Sequence, residues 1–326
     1  MSSPLHAGLE AHFAALEKFL AAQELVFEPE VRPMVRDVLA HPGKRLRPLL
    51  AFSSGAGGPP PDALVCGAGI IELVHLATLV HDDVLDGADT RHGSDTPNRT
   101  HGAHAAVLFG DALFAHALVL AADHPTPELC RIVARASREV CSGEVCQTFS
   151  RGHDDLSLED YYRHIRLKTA ELFRVSCFLG ARLAGFEGGY VEAVSRFGRH
   201  LGIAYQIYDD LLDFFGEEAR VGKTLGTDLA SGKLTLPLLI LLERLSADER
   251  TTLTAELAGG SPPQPLLRLG QMRELGVFAA VSQAVEAEIA AAIGALRAWP
   301  DAPPTALLLG LCDVLHAQVA SVRPSG

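Results

Sequence analysis

The sequence has 326 residues, of which 48% are hydrophobic and 21% are charged, and its mean hydropathy is +0.17. This apolar content excludes an intrinsically disordered chain, because such chains bury too little apolar surface to fold. The 28 basic and 40 acidic residues leave a net charge of -12, which excludes a general electrostatic footprint on nucleic acid or anionic membrane. An anionic ligand would therefore need a local basic cluster or bound metal ions.

The cysteines and the N-terminus predict a cytoplasmic protein. Six cysteines lie scattered in apolar surroundings without a Cys-x-x-Cys pair, as expected for reduced thiols and not for a disulfide framework. The N-terminus lacks the basic and then apolar pattern of a secretory signal. No apolar stretch approaches the ~18 uninterrupted residues of a membrane span, so we expect no transmembrane segment.

Apolar residues spaced three and four apart predict an all-α protein. The chain is rich in alanine and leucine and lacks runs of alternating β-branched residues. Helix starts are indicated by Thr126-Pro127 and by the capping-box spacing of Ser157 and Asp160. The predicted helices cover about 64–87, 100–123, 127–149, 158–185, 189–215, 229–245, 263–275, 277–298 and 304–321. The breaks between them are short, so we expect a single domain over residues 1–326.

Two acidic clusters with the same spacing follow apolar helical runs. The first comprises Asp82, Asp83 and Asp86, and the second comprises Asp209, Asp210 and Asp213. Either cluster alone would ordinarily be a solvated helix face. Carboxylates this close repel each other, however, and they are costly to desolvate at the end of an apolar helix unless a cation is bound. Oxygen-only clusters suit Mg²⁺, whereas the histidines lack zinc-ligand spacing, so the pattern predicts a magnesium site.

Basic residues that could bind a diphosphate accompany these clusters. They are Lys44, Arg45, Arg47, Arg91, Lys168, Lys223 and Lys233. Each of them alone is more often a solubilising surface charge. Together with two acidic clusters, in a chain of negative net charge, they indicate a site where metal ions and cationic side chains bind a diphosphate.

Six motifs occur in one order between residues 43 and 237. They are GKRLRP, HDDVLDGADTR, GEVCQ, KTAELF, YQIYDDLLD and GKTLGTDLASGKLTLP. In these motifs the sequence resembles the trans-isoprenyl diphosphate synthases of the polyprenyl synthetase family, and it is closest to the medium- and long-chain synthases. Class I terpene cyclases share the first Asp-rich motif, but their second metal motif is of an Asn/Ser/Glu type. The resemblance implies an all-α, isoprenoid synthase-type helical bundle around a central substrate cavity, and a homodimer.

The resemblance also implies a reaction and a site. The enzyme would condense isopentenyl diphosphate with an allylic diphosphate, such as farnesyl or geranylgeranyl diphosphate, to give a longer all-trans polyprenyl diphosphate. Two facing helices would hold about three Mg²⁺ ions through the six aspartates. By this resemblance the catalytic residues would be Asp82, Asp83, Asp86, Lys168, Thr169, Gln206, Asp209 and Lys223, with Gln147 supporting them. The allylic diphosphate would be bound by Arg91, Lys168, Thr169, Gln206, Lys223 and Lys233, and isopentenyl diphosphate by Lys44, Arg47, His75 and His92.

One departure from the family pattern is His92, which stands where a second arginine is usual. A neutral imidazole does not replace a permanent bidentate cation. We therefore hypothesise weaker binding of isopentenyl diphosphate near neutral pH, offset by Arg45 or Arg99.

Product length in this family follows the residues four and five positions before the first Asp, which are Thr78 and Ala77 here. Both are small, so the resemblance favours a long-chain product over the alternative that the two residues serve only ordinary helix packing. Phe109 or Phe114 could close the substrate tunnel deeper down, which would give a geranylgeranyl diphosphate synthase that stops at twenty carbons. Two less favoured alternatives are a class I terpene cyclase, which needs no isopentenyl diphosphate, and a non-catalytic partner subunit. The intact set of Lys44, Arg47 and His75 disfavours the cyclase.

Overall fold

A computed structural model describes residues 8–41, 43–57, 60–91, 93–153, 155–216 and 225–323. The described chain is helical almost throughout, which confirms the all-α prediction. Its helices are α1 (Glu10–Glu24), α2 (Arg32–Ala40), α3 (Leu46–Gly55), α4 (Asp62–Leu85), α5 (Pro97–His101), α6 (Ala103–Ala122), α7 (Pro127–Phe149), α8 (Leu158–Ile165), α9 (Glu171–Leu183), α10 (Gly189–Phe215), α11 (Thr227–Ala230), α12 (Leu236–Arg244), α13 (Ala247–Leu257), α14 (Pro265–Glu274), α15 (Val277–Ala295) and α16 (Pro303–Ser321). A short antiparallel hairpin of β1 (Thr90–Arg91) and β2 (Ser94–Asp95) follows α4.

A π-helical turn, Arg166–Ala170, lies between α8 and α9. Its hydrogen bonds span one residue more than those of an α-helix, and such turns are frequent at functional sites. Lys168 and Thr169 belong to this turn, so the irregular stretch coincides with the KTAELF motif. The apolar periodicity predicted one continuous helix over 158–185 and gave no sign of the turn.

The predicted starts of α7 and α8 are confirmed. α7 begins at Pro127, directly after Thr126. At the start of α8, Ser157 Oγ accepts a hydrogen bond from the Asp160 amide at 3.1 Å, and Asp160 Oδ2 accepts one from the Ser157 amide at 3.3 Å. This reciprocal pair satisfies two amides that the first helical turn leaves without partners.

The helix predicted over 229–245 is wrong in extent, because the structure has two helices there, α11 and α12. The chain turns at Gly232, whose φ of +67° is a left-handed conformation that glycine adopts without strain. α13 was not predicted, although Ser246 and Glu249 form a second capping box before it. The spacing Ser-x-x-Glu would have found this helix.

The chain divides into two compact units, and the first comprises Met1–Arg138, Leu172–Gly198 and Ala295–Leu309. In this unit α4 packs against α1, α3 and α6. α3 also crosses α9 at backbone contact distance. A Cβ added to Gly180 would collide with the carbonyl group of Ala51, and one added to Gly55 would lie 2.6 Å from the carbonyl oxygen of Gly180. The two glycines therefore permit this close crossing.

The second unit comprises Glu139–Glu171, Arg199–Gly294 and Gly310–Gly326. Its interior contains an ion pair between Arg268 and Glu256, whose side chains are 1% and 0% exposed. Arg268 Nη1 also donates to Gln271 Oε1 at 2.7 Å, so the buried guanidinium is bonded on more than one side. The single domain predicted over residues 1–326 stays a prediction.

By length and composition alone, four of the described helices could cross a membrane. They are Asp62–Leu85, Ala103–Ala122, Val277–Ala295 and Pro304–Ser321. Counting uninterrupted apolar residues overlooked them, because isolated polar residues divide each run. In the first of them, 72% of the most apolar window is buried within the protein. The expected absence of a transmembrane segment stays a prediction.

All six cysteines are free thiols in the structure, as the sequence predicted.

Candidate active site

The first acidic cluster lies at the C-terminal end of α4. Asp82 and Asp83 belong to the last turn, Asp86 caps the helix, and this turn contains no basic residue. The C-terminal end of a helix already carries partial negative charge, so three carboxylates there are unfavourable without cations. The position of the cluster therefore favours cation binding.

Burial separates the members of the first cluster. Asp83 is 3% exposed, and its Oδ1 accepts from Arg91 Nε at 2.8 Å and lies 2.7 Å from Arg91 Nη2. Asp82 is half-buried and Asp86 is exposed. Arg91 of β1 thus anchors Asp83, while the other two residues reach solvent. The structure brings Arg91 to the cluster, whereas its predicted role in binding the allylic diphosphate stays a prediction.

The second acidic cluster lies in the last two turns of α10, and the last turn again contains no basic residue. Asp210 is buried, with Oδ2 accepting from Tyr161 Oη at 2.7 Å and Oδ1 accepting from Gln206 Nε2 at 2.8 Å. Burial raises the pKa of Asp210 to about 7, although both hydrogen bonds act to lower it. Burial also raises the pKa of Tyr161 well above its usual value, so its hydroxyl stays protonated. Asp209, by contrast, is half-buried.

Asp213, the last member of the second cluster, binds backbone. It is 1% exposed, and its Oδ1 accepts from the amide and hydroxyl of Thr227 at 3.2 and 2.7 Å. Its Oδ2 accepts from the Asp228 amide at 3.0 Å, so the carboxylate satisfies amides at the start of α11. The Lys233 amide donates in turn to the Asp228 carbonyl oxygen at 2.8 Å. Asp213 therefore positions the segment that carries Lys233.

Thr169 of the π-helical turn joins the network around the second cluster. Its hydroxyl donates to Gln206 Oε1 at 2.6 Å, and Gln206 in turn donates to Asp210. Two residues predicted to be catalytic, Thr169 and Gln206, are thus connected to a member of the second cluster by consecutive hydrogen bonds.

Lys168, also in the π-helical turn, is held by α7. Its Nζ donates to Gln147 Oε1 at 3.0 Å and forms an ion pair with Glu144. Gly143 makes this approach possible, because an added Cβ there would lie 2.6 Å from the amide nitrogen of Lys168. The predicted supporting role of Gln147 therefore has a physical basis.

Three residues predicted to bind isopentenyl diphosphate lie in the first unit. Lys44 is exposed just before α3, and Arg47 is half-buried in the first turn of α3, with its guanidinium carbon 5.1 Å from the ring centroid of Phe173. His75 is half-buried in α4. His92 and Lys223, which the sequence also assigns to the site, lie outside the described residues.

The expectation that Arg45 offsets His92 is wrong. The Arg45 side chain is 3% exposed and forms an ion pair with buried Glu72, so it is not available to a substrate. Arg99 is more exposed, but its Nη1 lies 3.0 Å from Asp89 Oδ2, an ion pair that competes for the guanidinium. The structure thus excludes the first of the two proposed substitutes for the missing arginine.

The residues predicted to set product length differ in burial. Ala77 is 0% exposed and Phe109 is 3% exposed. Thr78 is half-buried and donates to the His75 carbonyl oxygen at 2.7 Å, so its hydroxyl is satisfied within α4. Phe114 of α6 is half-buried and stacks on the ring of His81 at 5.9 Å.

Sequence reasoning missed three residues that hold the predicted site residues. They are Tyr161, Glu144 and Glu72. Glu144 was visible within the GEVCQ motif, three positions before Gln147 and therefore on the same helix face. Glu72 was visible as a lone charge within an apolar run, which is costly unless it has a partner. No local signal pointed to Tyr161, because its partner Asp210 is 49 residues away.

The donor set fits a hard divalent cation. Asp82, Asp86 and Asp209 are the more accessible members of the two clusters, and their carboxylates are oxygen donors of the kind that Mg²⁺ prefers. In the described part of the chain, no three His, Cys, Asp or Glu side chains are already grouped around a common metal position.

This protein has an all-α fold in which two helices each end in an Asp-rich cluster. These features place it in the class of isoprenoid synthases. The sequence profile of the polyprenyl synthetase family matches residues 28–264, and the chain belongs to this family. It is therefore an enzyme, a trans-prenyltransferase.

Relatives and solved structures agree with this assignment. Octaprenyl diphosphate synthase of Escherichia coli K12 is 34% identical over 276 residues, which cover 83% of this chain and 85% of the relative. A decaprenyl diphosphate synthase from Rhodobacter capsulatus has a TM-score of 0.89 at 31% identity and covers 98% of this chain and 99% of its own. A polyprenyl synthase from Caulobacter crescentus CB15, complexed with calcium and isoprenyl diphosphate, has a TM-score of 0.89 at 32% identity over 96% of each chain. The chain accordingly has the isoprenoid synthase fold.

Proposed function

We propose that the enzyme condenses isopentenyl diphosphate with an allylic diphosphate, farnesyl or geranylgeranyl diphosphate, to give a longer all-trans polyprenyl diphosphate. The observation that carries this proposal is the hydrogen-bonded chain from Thr169 through Gln206 to Asp210, one residue from Asp209. This chain places neutral oxygen acceptors next to a metal-binding motif. Cleavage of an allylic diphosphate requires both, because positive charge develops on the allylic carbon and negative charge develops on the leaving diphosphate.

Thr169 and Gln206 suit the positive charge that develops on the allylic carbon. Because Thr169 donates its hydroxyl hydrogen to Gln206, its oxygen lone pairs can face an electron-poor carbon. Asp210 fixes the amide of Gln206, and Tyr161 fixes Asp210 in turn. These acceptors are therefore oriented before the substrate arrives and need no reorganisation during the reaction.

We propose that the two acidic clusters bind about three Mg²⁺ ions, as in the family the chain resembles. Asp82, Asp86 and Asp209 would be direct ligands, because they are the more accessible members. Bound Mg²⁺ would neutralise the negative charge that grows on the leaving diphosphate. The buried members, Asp83, Asp210 and Asp213, would hold the surrounding elements in place. The calcium in the Caulobacter crescentus complex supports the use of a divalent cation.

Cationic side chains would bind the two diphosphates. Lys168 is positioned by Gln147 and Glu144, so its ammonium group has little freedom to lose on binding. The residues proposed for the allylic diphosphate are Arg91, Lys168, Lys223 and Lys233, and those for isopentenyl diphosphate are Lys44, Arg47, His75 and His92.

A product assay tests the proposal. The purified enzyme is incubated with Mg²⁺, isopentenyl diphosphate and, separately, the ten-, fifteen- and twenty-carbon allylic primers, and dephosphorylated products are sized by mass spectrometry. We expect products longer than twenty carbons. A stop at twenty would instead indicate a geranylgeranyl diphosphate synthase, in which Phe109 or Phe114 would close the tunnel. A hydrocarbon formed without isopentenyl diphosphate, or no elongation from any primer, would contradict the proposal.

Ala77→Phe is expected to shorten the product by at least one isoprene unit, because a larger side chain reduces the volume available to the growing chain. Ala77 is 0% exposed, so the same variant will lose stability by overpacking, by about 1–3 kcal/mol. Ala292→Phe in α15, also at 0% exposure, is the matched control and should leave the product spectrum unchanged. An unaltered spectrum for a folded Ala77→Phe enzyme would remove Ala77 from the floor of the tunnel.

We also propose that the protein is a cytoplasmic homodimer that binds no nucleic acid. Its net charge of -12 opposes contact with polyanions, and its six free thiols suit a reducing compartment. Dimerisation follows from the family resemblance alone.

A further inference from the structure

The backbone at Arg45 is strained. Among the described residues Arg45 is the one non-glycine residue with a positive φ, at +49°. A left-handed conformation is strained in any L-residue that has a Cβ atom. Such strain persists only where surrounding contacts impose it, and it is concentrated at functional sites. Arg45 immediately precedes α3.

The side chain of Arg45 forms a buried ion pair. Its Nη1 donates to Glu72 Oε1 at 2.9 Å, with the two side chains 3% and 2% exposed. Its Nε donates to Glu17 Oε1 at 3.3 Å. The outer atoms Arg45 Nη2 and Glu72 Oε2 are buried, and no hydrogen-bond partner for either occurs in the described ranges. Burying two charges costs desolvation free energy, and an ion pair with hydrogen bonds missing offsets little of that cost. A contribution to stability therefore does not explain why this pair is present.

The pair connects two elements that carry substrate-binding residues. Arg45 lies between Lys44 and Arg47, and Glu72 lies in α4 three residues before His75. Residues three apart on a helix share a face, so a shift of Glu72 would be accompanied by a shift of His75. All five residues belong to the first unit.

We propose that Arg45 and Glu72 are positioning residues for isopentenyl diphosphate. Their ion pair fixes Lys44 and Arg47 relative to His75, and the left-handed turn at Arg45 lets its side chain point inward while its neighbours stay accessible. Neither residue touches the substrate, because both are buried. This inference rests on the proposed function, in which Lys44, Arg47 and His75 bind the substrate.

The test replaces both charges at once, with Arg45→Met/Glu72→Leu. Removing both partners of a buried pair leaves no unpaired buried charge, because Glu17, which also contacts Arg45, is exposed to solvent. Such replacements are often neutral or stabilising, so the double variant should fold. We expect its KM for isopentenyl diphosphate to rise at least about tenfold, while kcat and the KM for the allylic substrate stay within about twofold. Calorimetric titration with isopentenyl diphosphate alone should show the same loss of affinity. An unchanged KM, or an equal change in all three kinetic constants, would overturn the proposal.

The second unit offers a matched control in the buried pair Arg268 and Glu256. Arg268→Met/Glu256→Leu makes the same chemical change where the structure shows no link to Lys44, Arg47 or His75 within the described residues. It should leave the KM for isopentenyl diphosphate unchanged. An equal rise in this control would also overturn the proposal, because the effect would then follow from the loss of any buried pair.

Two single variants decide the question if the double variant does not fold. Glu72→Gln keeps the shape and one hydrogen bond, and Arg45→Lys keeps the charge but loses the planar fork. Both should raise the KM for isopentenyl diphosphate and leave the allylic KM unchanged; wild-type values in both would count against a positioning role. The proposed function fails separately, if the wild-type enzyme does not elongate a primer at all.

Discussion

Asp209→Asn is expected to lower kcat by about a thousandfold, the loss seen when charge stabilisation at a reacting centre is removed. Asp209 is the accessible member of the second cluster, whereas Asp210 and Asp213 bond to protein donors. The substitution preserves size and removes the negative charge needed by a metal ligand. Steady-state kinetics over a Mg²⁺ titration measures the loss, and calorimetric Mg²⁺ binding gives a readout independent of turnover.

Glu192→Gln provides the control for Asp209→Asn. Glu192 is exposed in the first turn of the same helix, α10, and the change removes the same charge. Its kcat and Mg²⁺ dependence should match the wild type within about twofold, because an exposed charge far along the helix is screened. If Asp209→Asn also retained wild-type Mg²⁺ affinity, the second cluster would not be a metal site.

Gly180→Ala is expected to lower the free energy of unfolding by about 3 kcal/mol, because one added methyl group overpacks a rigid crossing. The new Cβ would collide with the carbonyl group of Ala51, which is backbone and cannot rotate away. α3 and α9 must then separate, and α3 carries Arg47, which lies over Phe173 of α9. Urea denaturation followed by circular dichroism measures the change.

Gly310→Ala serves as the counterpart to Gly180→Ala. Gly310 also lies inside a helix, α16, but an added Cβ there meets no atom within 4 Å. Alanine has the higher helix propensity, so this variant should be more stable by about 0.5–1 kcal/mol. Equal destabilisation by both substitutions would show that the loss of stability does not come from overpacking at the α3 and α9 crossing.

The acidic clusters and the helices that carry them could be predicted because their signals are local. Spacing within one turn places Asp82 near Asp86, and the apolar runs before each cluster identify the helices. Helix starts at Pro127 and Ser157 were equally readable, since capping chemistry involves residues at most three positions apart. These predictions needed no knowledge of tertiary contacts.

The remaining features depend on partners that are distant in the sequence. Arg45 was predicted to be a cation available to the substrate, but it is buried and forms an ion pair with Glu72, 27 residues away in the sequence. Tyr161 carried no signal at all, because its importance arises from Asp210 on another helix. Patterns in a single sequence reveal charge and periodicity, but they do not reveal which buried polar groups form hydrogen bonds with each other.

The π-helical turn determines which side chains around Lys168 share a face of the helix. Tyr161 donates to Asp210 and Thr169 donates to Gln206, which is itself bonded to Asp210. Tyr161 and Thr169 are eight positions apart in the sequence. In an unbroken α-helix, eight steps of about 100° would leave the two side chains about 80° apart around the axis. If the wider turn absorbs one residue, seven steps remain, and the offset falls to about 20°. The wider turn therefore brings Tyr161 and Thr169 to nearly the same face of the helix, from which both reach the pair of Gln206 and Asp210.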